Sequence, residues 1–463
     1  MLASVSDTSS QTVHPPTQNS SEWTLLHRGV FVANMKWLPQ IQTLTLCRSL
    51  RLIDPSAWKT ATHQLLVRYP ILSGRLVLTE EASPAFWVHH PLEKHNNGND
   101  AALHNMEDYL QVLDWTENQD AMAHLAAEPT LDQNFAWVRD IIAPSVPAPT
   151  STLEQLLQKS PLLQVRLILL PSQFYVLNVG ISHAVADSFT YYRLVDELVH
   201  MTASSQYANE PLSWTANSNL VIHEQLTHPA DNALVTTSYS WWWADKLNSW
   251  WRRWIQPRSC EYIILDQDAI EQQKQQLLDQ TVSKDQAPVS FLSSNDVVTA
   301  ALLQANRRPS YLPFPTVGRT DKNDVCIVFC NARSRRRDYQ NTHAGNLVDQ
   351  LILPSRLACN PNDHRRVLQK GCFYEPGQLP YEFLLTASFT FITSWATAQG
   401  SCRVAPPQDK VMCHVPHPNP MHSLSMDVAM VFRINDQHLG VAHNFYPRGG
   451  TTNDLLHSIS VKR

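Results

Sequence analysis

Phe174-Tyr-Val-Leu-Asn-Val-Gly-Ile-Ser-His183-Ala-Val-Ala-Asp187 is the stretch on which the reading of this chain turns. Phe174 to Ile181 is a run of strand length, rich in the aliphatic and aromatic side chains that a pleated, buried surface takes up. Beyond Asp187, the residues Phe189, Tyr192, Val195 and Val199 recur at helical spacing over 188–201. A polar pair, His183 and Asp187, therefore sits where a buried strand hands over to a helix. Upstream, Leu162 to Leu170 alternates as a second strand, and Pro171-Ser-Gln173 is a short polar break. The two strands predict a hairpin whose end delivers the imidazole to an interior rim.

Spacing alone carries little, because in a chain with 20 histidines roughly one H-x-x-x-D match arises by chance. His104-Asn-Met-Glu-Asp108 is such a match, with no strand before it, and it reads as polar residues on an amphipathic helix. His183 differs by context. An imidazole with an ordinary pKa near ~6.5 can take a proton from a hydroxyl or an amine at neutral pH, as a general base must. Asp187, four residues on, would orient the turn or pair with a distant cation. On these residues alone a satisfied core histidine remains an equal reading.

Outward from this centre, 44–66 reads as a loop followed by an amphipathic helix with Trp58, Leu65 and Leu66, stopped by Pro70. Arg75 to Leu78 and Ala85 to Val88 read as strands, Tyr262 to Leu265 as another, Asp268 to Gln280 as a Gln-rich helix, and Ser293 onward as a capped helix start. Val325 to Phe329 is a further strand.

Ser160-Pro-Leu-Leu163, the hairpin and Ile181 to Asp187 resemble the active-site signature of the BAHD acyltransferases and their relatives, among them wax ester synthases and peptide-synthetase condensation domains. Tyr69-Pro-Ile-Leu-Ser-Gly-Arg75, Ser293 to Ala300, Asn331-Ala-Arg-Ser-Arg335 and Gly345-Asn346 are similar to further family segments, in the expected order. The resemblance implies an α/β protein of two chloramphenicol-acetyltransferase-like domains, each a mixed β-sheet flanked by helices, with the active-site channel at their interface. It implies His183 as base, Asp187 in a structural salt bridge with Arg333, and a channel bordered by Ser182, Ser188, Ser294, Asn295, Gly345 and Asn346. It also implies acyl-CoA as co-substrate, a small-molecule acceptor, no permanently bound cofactor and no metal. Two departures mark a divergent member. Ser188 stands where the family has glycine, and the Asp-Phe-Gly-Trp-Gly signature of plant members is missing; Gly400-Ser-Cys-Arg403 follows Phe391 to Trp395 instead.

The bulk numbers agree with two large cores. The chain has 463 residues, 43% hydrophobic and 17% charged, with 12 Gly and 30 Pro. We expect a lead-in at 1–22, a domain at 23–225, a Trp-rich crossover at 226–259 and a second domain at 260–463. A formal net charge of -5 gives no general pull toward nucleic acid. Eight cysteines without C-x-x-C spacing read as free thiols in a reducing, cytoplasmic setting. A chain carrying one complete channel needs no partner, so a monomer is expected.

Other features have plainer readings beside the sharper ones. Arg335 and Arg336, in the cluster Arg333 to Arg337, could meet CoA phosphates or be a solvated face. Cys413, His414, His417 and His422 lie among prolines and read as loop residues rather than a zinc site. Trp241 to Trp254, interleaved with Lys246, Arg252 and Arg253, could touch a membrane surface and draw a lipophilic acceptor, or pack between domains. No G-x-S-x-G occurs, which disfavours a serine hydrolase. The alternatives to O-acyl transfer are N-acylation or condensation on a carrier-bound substrate, and a silent binding protein on the same scaffold.

Overall fold

A computed structural model describes residues 23–26, 40–78, 86–89, 106–151, 154–155, 158, 160–204, 260–280, 291–305, 325–331, 348–354, 360–362, 365, 389–400, 402–418, 427–444 and 454–461. The first half contributes strands β1 (Trp23–Leu26), β2 (Ile41–Arg48), β3 (Arg75–Leu78), β4 (Phe86–His89), β5 (Leu110–Asp114), β6 (Leu163–Leu169) and β7 (Phe174–Ile181). Its helices are α1 (Pro55–Arg68), α2 (Gln119–Ala126), α3 (Leu131–Trp137), which runs on through a π-helical turn at Val138–Ile142, and α4 (Ser188–Ala203). The second half contributes β8 (Glu261–Asp266), β9 (Val325–Asn331), β10 (Val348–Pro354), β11 (Phe389–Ser394), β12 (Lys410–Pro416), β13 (Asp427–Arg433) and β14 (His438–His443). Its helices are α5 (Gln267–Gln280), α6 (Ser294–Ala305), α7 (Ala396–Gln399) and α8 (Asp454–Ile459).

The strands form a five-stranded sheet in the order β12-β2-β7-β6-β5 and a six-stranded sheet in the order β10-β9-β11-β13-β14-β8, with β1-β4-β3 as a small third sheet. Both large sheets are mixed: β5 runs parallel to β6, and β11 parallel to both β9 and β13, while the other neighbours are antiparallel. The expected hairpin is β6 and β7, closed at Pro171–Gln173, where Ser172 and Gln173 take positive φ.

Two stretches depart from the sequence reading. Residues 41–48, of which 44–48 fall in the expected loop, form β2, which lies between β12 and β7. Its first seven residues are all buried. A strand covered on both faces has no alternation to reveal it, and Gln42, Thr43 and Thr45 disguise it further. Cys413 and His414, expected in a Pro-rich loop, lie instead in β12, which spans residues 410–416. It comes from the second half of the chain yet pairs with β2 in the first sheet, from Lys410 opposite Arg48 to Pro416 opposite Thr43. The expected helix around Met106 is a single 3-10 turn at Met106–Asp108 leading into β5; His104 lies outside the described residues.

Helices cover both faces of the first sheet. On one face α4 docks through Tyr191, whose hydroxyl shares a hydrogen bond with Thr43 Oγ1 (2.7 Å) and donates to the Val179 carbonyl (3.0 Å). On the other face the run that starts with α3 reaches across to the second sheet. The Phe135 ring meets Tyr262 of β8 edge-on at 5.4 Å and stacks near Phe432 of β13 at 6.3 Å. One buried cluster accordingly includes residues from both halves, Leu177 and Val195 together with Met430 and Phe432. The second sheet has its own cluster, where Val297, Val298 and Leu302 of α6 pack with Val431 and Val441.

Candidate functional site

Chain geometry brings His183 to the end of β7. Ile181 is the last strand residue, opposed by Ile41 and Leu163 on either side, and α4 begins at Ser188. Between them the backbone folds into a tight turn: the amides of Val185 and Ala186 both donate to the Ser182 carbonyl, at 3.1 and 3.2 Å. Ser182 is fully buried. Its hydroxyl donates to Gln155 Oε1 (2.7 Å) and accepts from the Ala184 amide (3.3 Å), so the side chain expected to border a channel also braces this turn.

His183 is half-buried while Ala184, Val185 and Ala186 are buried, so of these four residues His183 alone retains exposure. Desolvation lowers its pKa below the ordinary histidine value; hydrogen bonding to the main-chain carbonyls of His183 itself and Ala186, and the charge of Asp187, act in the opposite direction. The net effect keeps the ring neutral at pH 7, the form in which it can accept a proton.

Asp187 is 2% exposed and is the N-cap of α4, its carboxylate accepting from the Thr190 amide at 2.8 Å. A carboxylate there also meets the positive end of the helix dipole. The helix so anchored is tied to α1 by a buried polar cluster: Tyr69 donates its hydroxyl to Glu197 Oε1 (2.8 Å), and Arg68 pairs with Glu197 at 3.2 Å. Tyr69 is where α1 ends, ahead of Pro70. Arg75, at the other end of that segment, donates to the carbonyls of Ser73 and Gly74 and to the Tyr109 hydroxyl, and pairs with Asp108 at 3.3 Å. Asp108, the aspartate of the second H-x-x-x-D match, is thus a partner for Arg75.

Ser182, His183, Asp187 and Ser188 share one turn. Ser294 and Asn295 lie instead on the first turn of α6, capped as expected: Ser293 Oγ accepts from the Asp296 amide, and the Asp296 carboxylate accepts from the Ser293 amide and hydroxyl. Asp296 is fully buried and pairs with Arg365 at 3.1 Å, whose guanidinium lies 4.8 Å from the centre of the Phe291 ring. Sequence reasoning missed this pair, since a partner about seventy residues away leaves no local signal; only the capping-box spacing of Ser293 and Asp296 hints at the acid. Arg333, Arg335, Arg336, Gly345, Asn346, the Trp241 to Trp254 segment and His422 lie outside the described residues.

His414 and His417 are engaged by protein groups. His414 is buried on β12 between Thr45 Oγ1 (2.8 Å) and the Tyr192 hydroxyl (3.1 Å), and burial lowers its pKa to about 3. His417 contacts the Ala143 carbonyl at 3.1 Å, with its pKa at about 4. Among the described residues no group of three or more His, Cys, Asp or Glu side chains is placed to hold a metal ion. Nor, among them, is any helix long and apolar enough to cross a membrane.

No protein-family model matches the chain, and no curated protein matches it. Solved structures do. TRI101 of F. graminearum, complexed with ethyl coenzyme A, is 12% identical, with 91% of this chain and 94% of that one covered at a TM-score of 0.52. The first condensation domain of the CDA synthetase is also 12% identical, with 94% and 93% covered at 0.51. Polyketide synthase associated protein 5 from Mycobacterium tuberculosis is 16% identical, with 94% and 95% covered at 0.50. At these identities the likeness is one of fold, and it extends over nearly the whole of each chain.

Proposed function

We propose that this chain, which has the two-domain chloramphenicol-acetyltransferase-like fold, transfers an acyl group from acyl-CoA to the hydroxyl of a small-molecule acceptor, with His183 as general base. The observation that carries the reading is the position of half-buried His183 on the turn between β7 and α4, where burial lowers the pKa of its imidazole. A main-chain carbonyl that holds one ring N–H fixes the tautomer in which the opposite nitrogen carries the lone pair. That nitrogen takes the acceptor's proton as its oxygen attacks the thioester carbonyl. The C–S bond then breaks, and the imidazolium returns the proton to the leaving thiolate, with no acyl-enzyme.

Several observations favour a site at the seam of two units, 23–225 and 260–463 joined by 226–259. Phe135 of α3, in the first unit, packs on Tyr262 and Phe432 of the second sheet, Arg403 donates its amide to Asp196 of α4 at 2.9 Å, and β12 enters the first sheet. Coenzyme A as donor is supported by the TRI101 structures, which hold it or its ethyl derivative. In this reading Arg333 pairs with Asp187, Arg335 and Arg336 receive CoA phosphates, and Ser188, Ser294, Asn295, Gly345 and Asn346 border the path. Trp241 to Trp254 offers a lipophilic acceptor a route from a membrane surface.

The equal likeness to a condensation domain favours a second reading, in which the acceptor is an amine on a carrier protein. Supplying acyl-CoA with free alcohols and following thiol release with a colour reagent separates the two. We predict that His183→Ala lowers thiol release at least a thousandfold while the melting temperature stays within about two degrees; turnover preserved in this variant removes the mechanism.

A further inference from the structure

The face of the first sheet turned toward α3 carries an uncommon set of side chains. Register places Gln42 and Gln164 on either side of Gly180, and Arg166 opposite Asn178. Gln40, one step beyond the paired Ile41 and Ile181, falls level with Ser182. Because side chains alternate along a strand, Gln40, Gln42, Gln164, Arg166, Asn178 and Ser182 share this face, ending at the His183 turn.

Arg166 is 4% exposed. Its Nε donates to Gln111 Oε1 (3.0 Å), Nη1 to Asn178 Oδ1 (3.2 Å) and Nη2 to Gln164 Oε1 (3.2 Å). All three acceptors are neutral amides, and no carboxylate pairs with the guanidinium among the described residues. Burial lowers its pKa, the mark of a cation with no compensating anion. Nearer His183, the Gln40 and Gln155 side chains are 3% and 0% exposed, and the Nε2 of each has no hydrogen-bond partner among the described residues. Both lie at the turn: Gln155 is bonded to Ser182, and Gln40 donates its main-chain amide to the Thr150 carbonyl (2.9 Å). Gly180, paired with Gln42 and Gln164, adds no side chain of its own to this face; a Cβ there would lie 3.5 Å from Gln40 Oε1 and 3.8 Å from Gln42 Cγ. Two buried N–H₂ donors without acceptors and an uncompensated guanidinium behind them ask for the same ligand: oxygen atoms bearing negative charge.

We propose that Gln40, Gln155 and Arg166 form a subsite for a carboxylate carried by one of the two substrates, an inference that rests on the acyltransferase reading. The amides meet the carboxylate oxygens, and the guanidinium supplies the charge through the Asn178 and Gln164 network. Substrates with an acid group at this end are therefore taken in preference to their neutral isosteres.

Binding is tested apart from turnover. Calorimetry of the full chain with glutarate should give saturable binding, at least tenfold tighter than neutral glutaramide. Arg166→Gln, which retains an amide for the same neighbours, should weaken glutarate at least thirtyfold, and Gln40→Leu about tenfold, with glutaramide changing less than threefold. Should Arg166→Gln fail to fold by circular dichroism, Gln40→Leu and Gly180→Ala decide, since the Cβ distances show that an alanine methyl fits. Glutarate that does not bind at millimolar concentration, or binds the folded variants as it binds wild type, overturns the subsite. Thiol release from succinyl-CoA against butyryl-CoA, and from acetyl-CoA with a hydroxy acid against its methyl ester, shows whether donor or acceptor bears the acid. Absence of thiol release with every donor refutes the acyltransferase reading, while the glutarate isotherm still reports on the subsite.

Discussion

Two physical demands meet on Asp187. Its carboxylate caps α4 through the Thr190 amide, and at 2% exposure a negative charge is costly unless a cation answers it. The two roles separate by substitution. Asparagine is as good an N-cap as aspartate, so a purely capping role predicts that Asp187→Asn is nearly neutral and Asp187→Ala costs about 1 kcal/mol. With Arg333 as the proposed partner, Asp187→Asn instead leaves a cation uncompensated and should cost about 3 kcal/mol in urea unfolding. A double-mutant cycle with Arg333→Met should then show coupling of at least about 1 kcal/mol; coupling near zero would remove that arginine. For His183 the sign follows from its environment. Because desolvation lowers the imidazole pKa, kcat/KM should rise with pH through a value below 6.5 and stay level above it. A midpoint above 7 would mean that the ring gains more from Asp187 and the carbonyls than it loses by burial.

Elements differ in how plainly the sequence announces them, and the reason is where their contacts lie. The hairpin of β6 and β7 and the helix α4 were legible because their signals are local: apolar runs, a Pro-Ser-Gln break, a 3.6-residue repeat. His183, Asp187 and Ser182 followed, since the turn between those elements fixes all three. β2 and β12 were not legible. What makes Ile41 to Arg48 a strand is burial between β7 and β12, and β12 lies more than 350 residues further along the chain. Gln40 and Gln155 were overlooked for the same reason, as nothing near them in sequence shows that they meet at Ser182. Likewise Gly440 looks unremarkable in the sequence, yet β14 needs it. It pairs with Phe432 of β13, and a Cβ added there would stand 2.3 Å from the phenylalanine ring. Phe432 in turn stacks near Phe135 at the seam. Gly440→Ala should therefore displace a fully buried ring and destabilise the protein by about 2 kcal/mol, measured as a lowered urea midpoint with an unchanged m-value. A neutral result would show that Phe432 can rotate away without disturbing the seam.

At the scale of the whole molecule, three buried histidines, two of which tie the second half of the chain to the first, set its tolerance of acid. β12 is fastened into the first sheet by His414, between Thr45 and Tyr192, while His417 reaches the Ala143 carbonyl below α3 and His443 ends β14. All three are at least nine-tenths buried, and burial lowers their pKa values to about 3, 4 and 4. In the unfolded chain the same imidazoles titrate near ~6.5. Between those limits the unfolded state binds more protons than the folded one, so stability rises with pH across the window and is lost as pH falls through it. Above about pH 8 the three groups are neutral in both states and contribute almost no slope. Between about pH 6 and 5 each contributes on the order of 1 kcal/mol per pH unit, and together on the order of 3 kcal/mol. Urea titrations at half-unit steps from pH 8.5 to 5 should show a flat upper region followed by a steep decline. His414→Gln, which can still bond Thr45 and Tyr192 but cannot take a proton, should remove about a third of the slope even if it lowers stability at pH 7.5. A slope unaltered in that variant would mean that the β12 anchor is already protonated in the folded state, and that the acid sensitivity of the seam arises elsewhere.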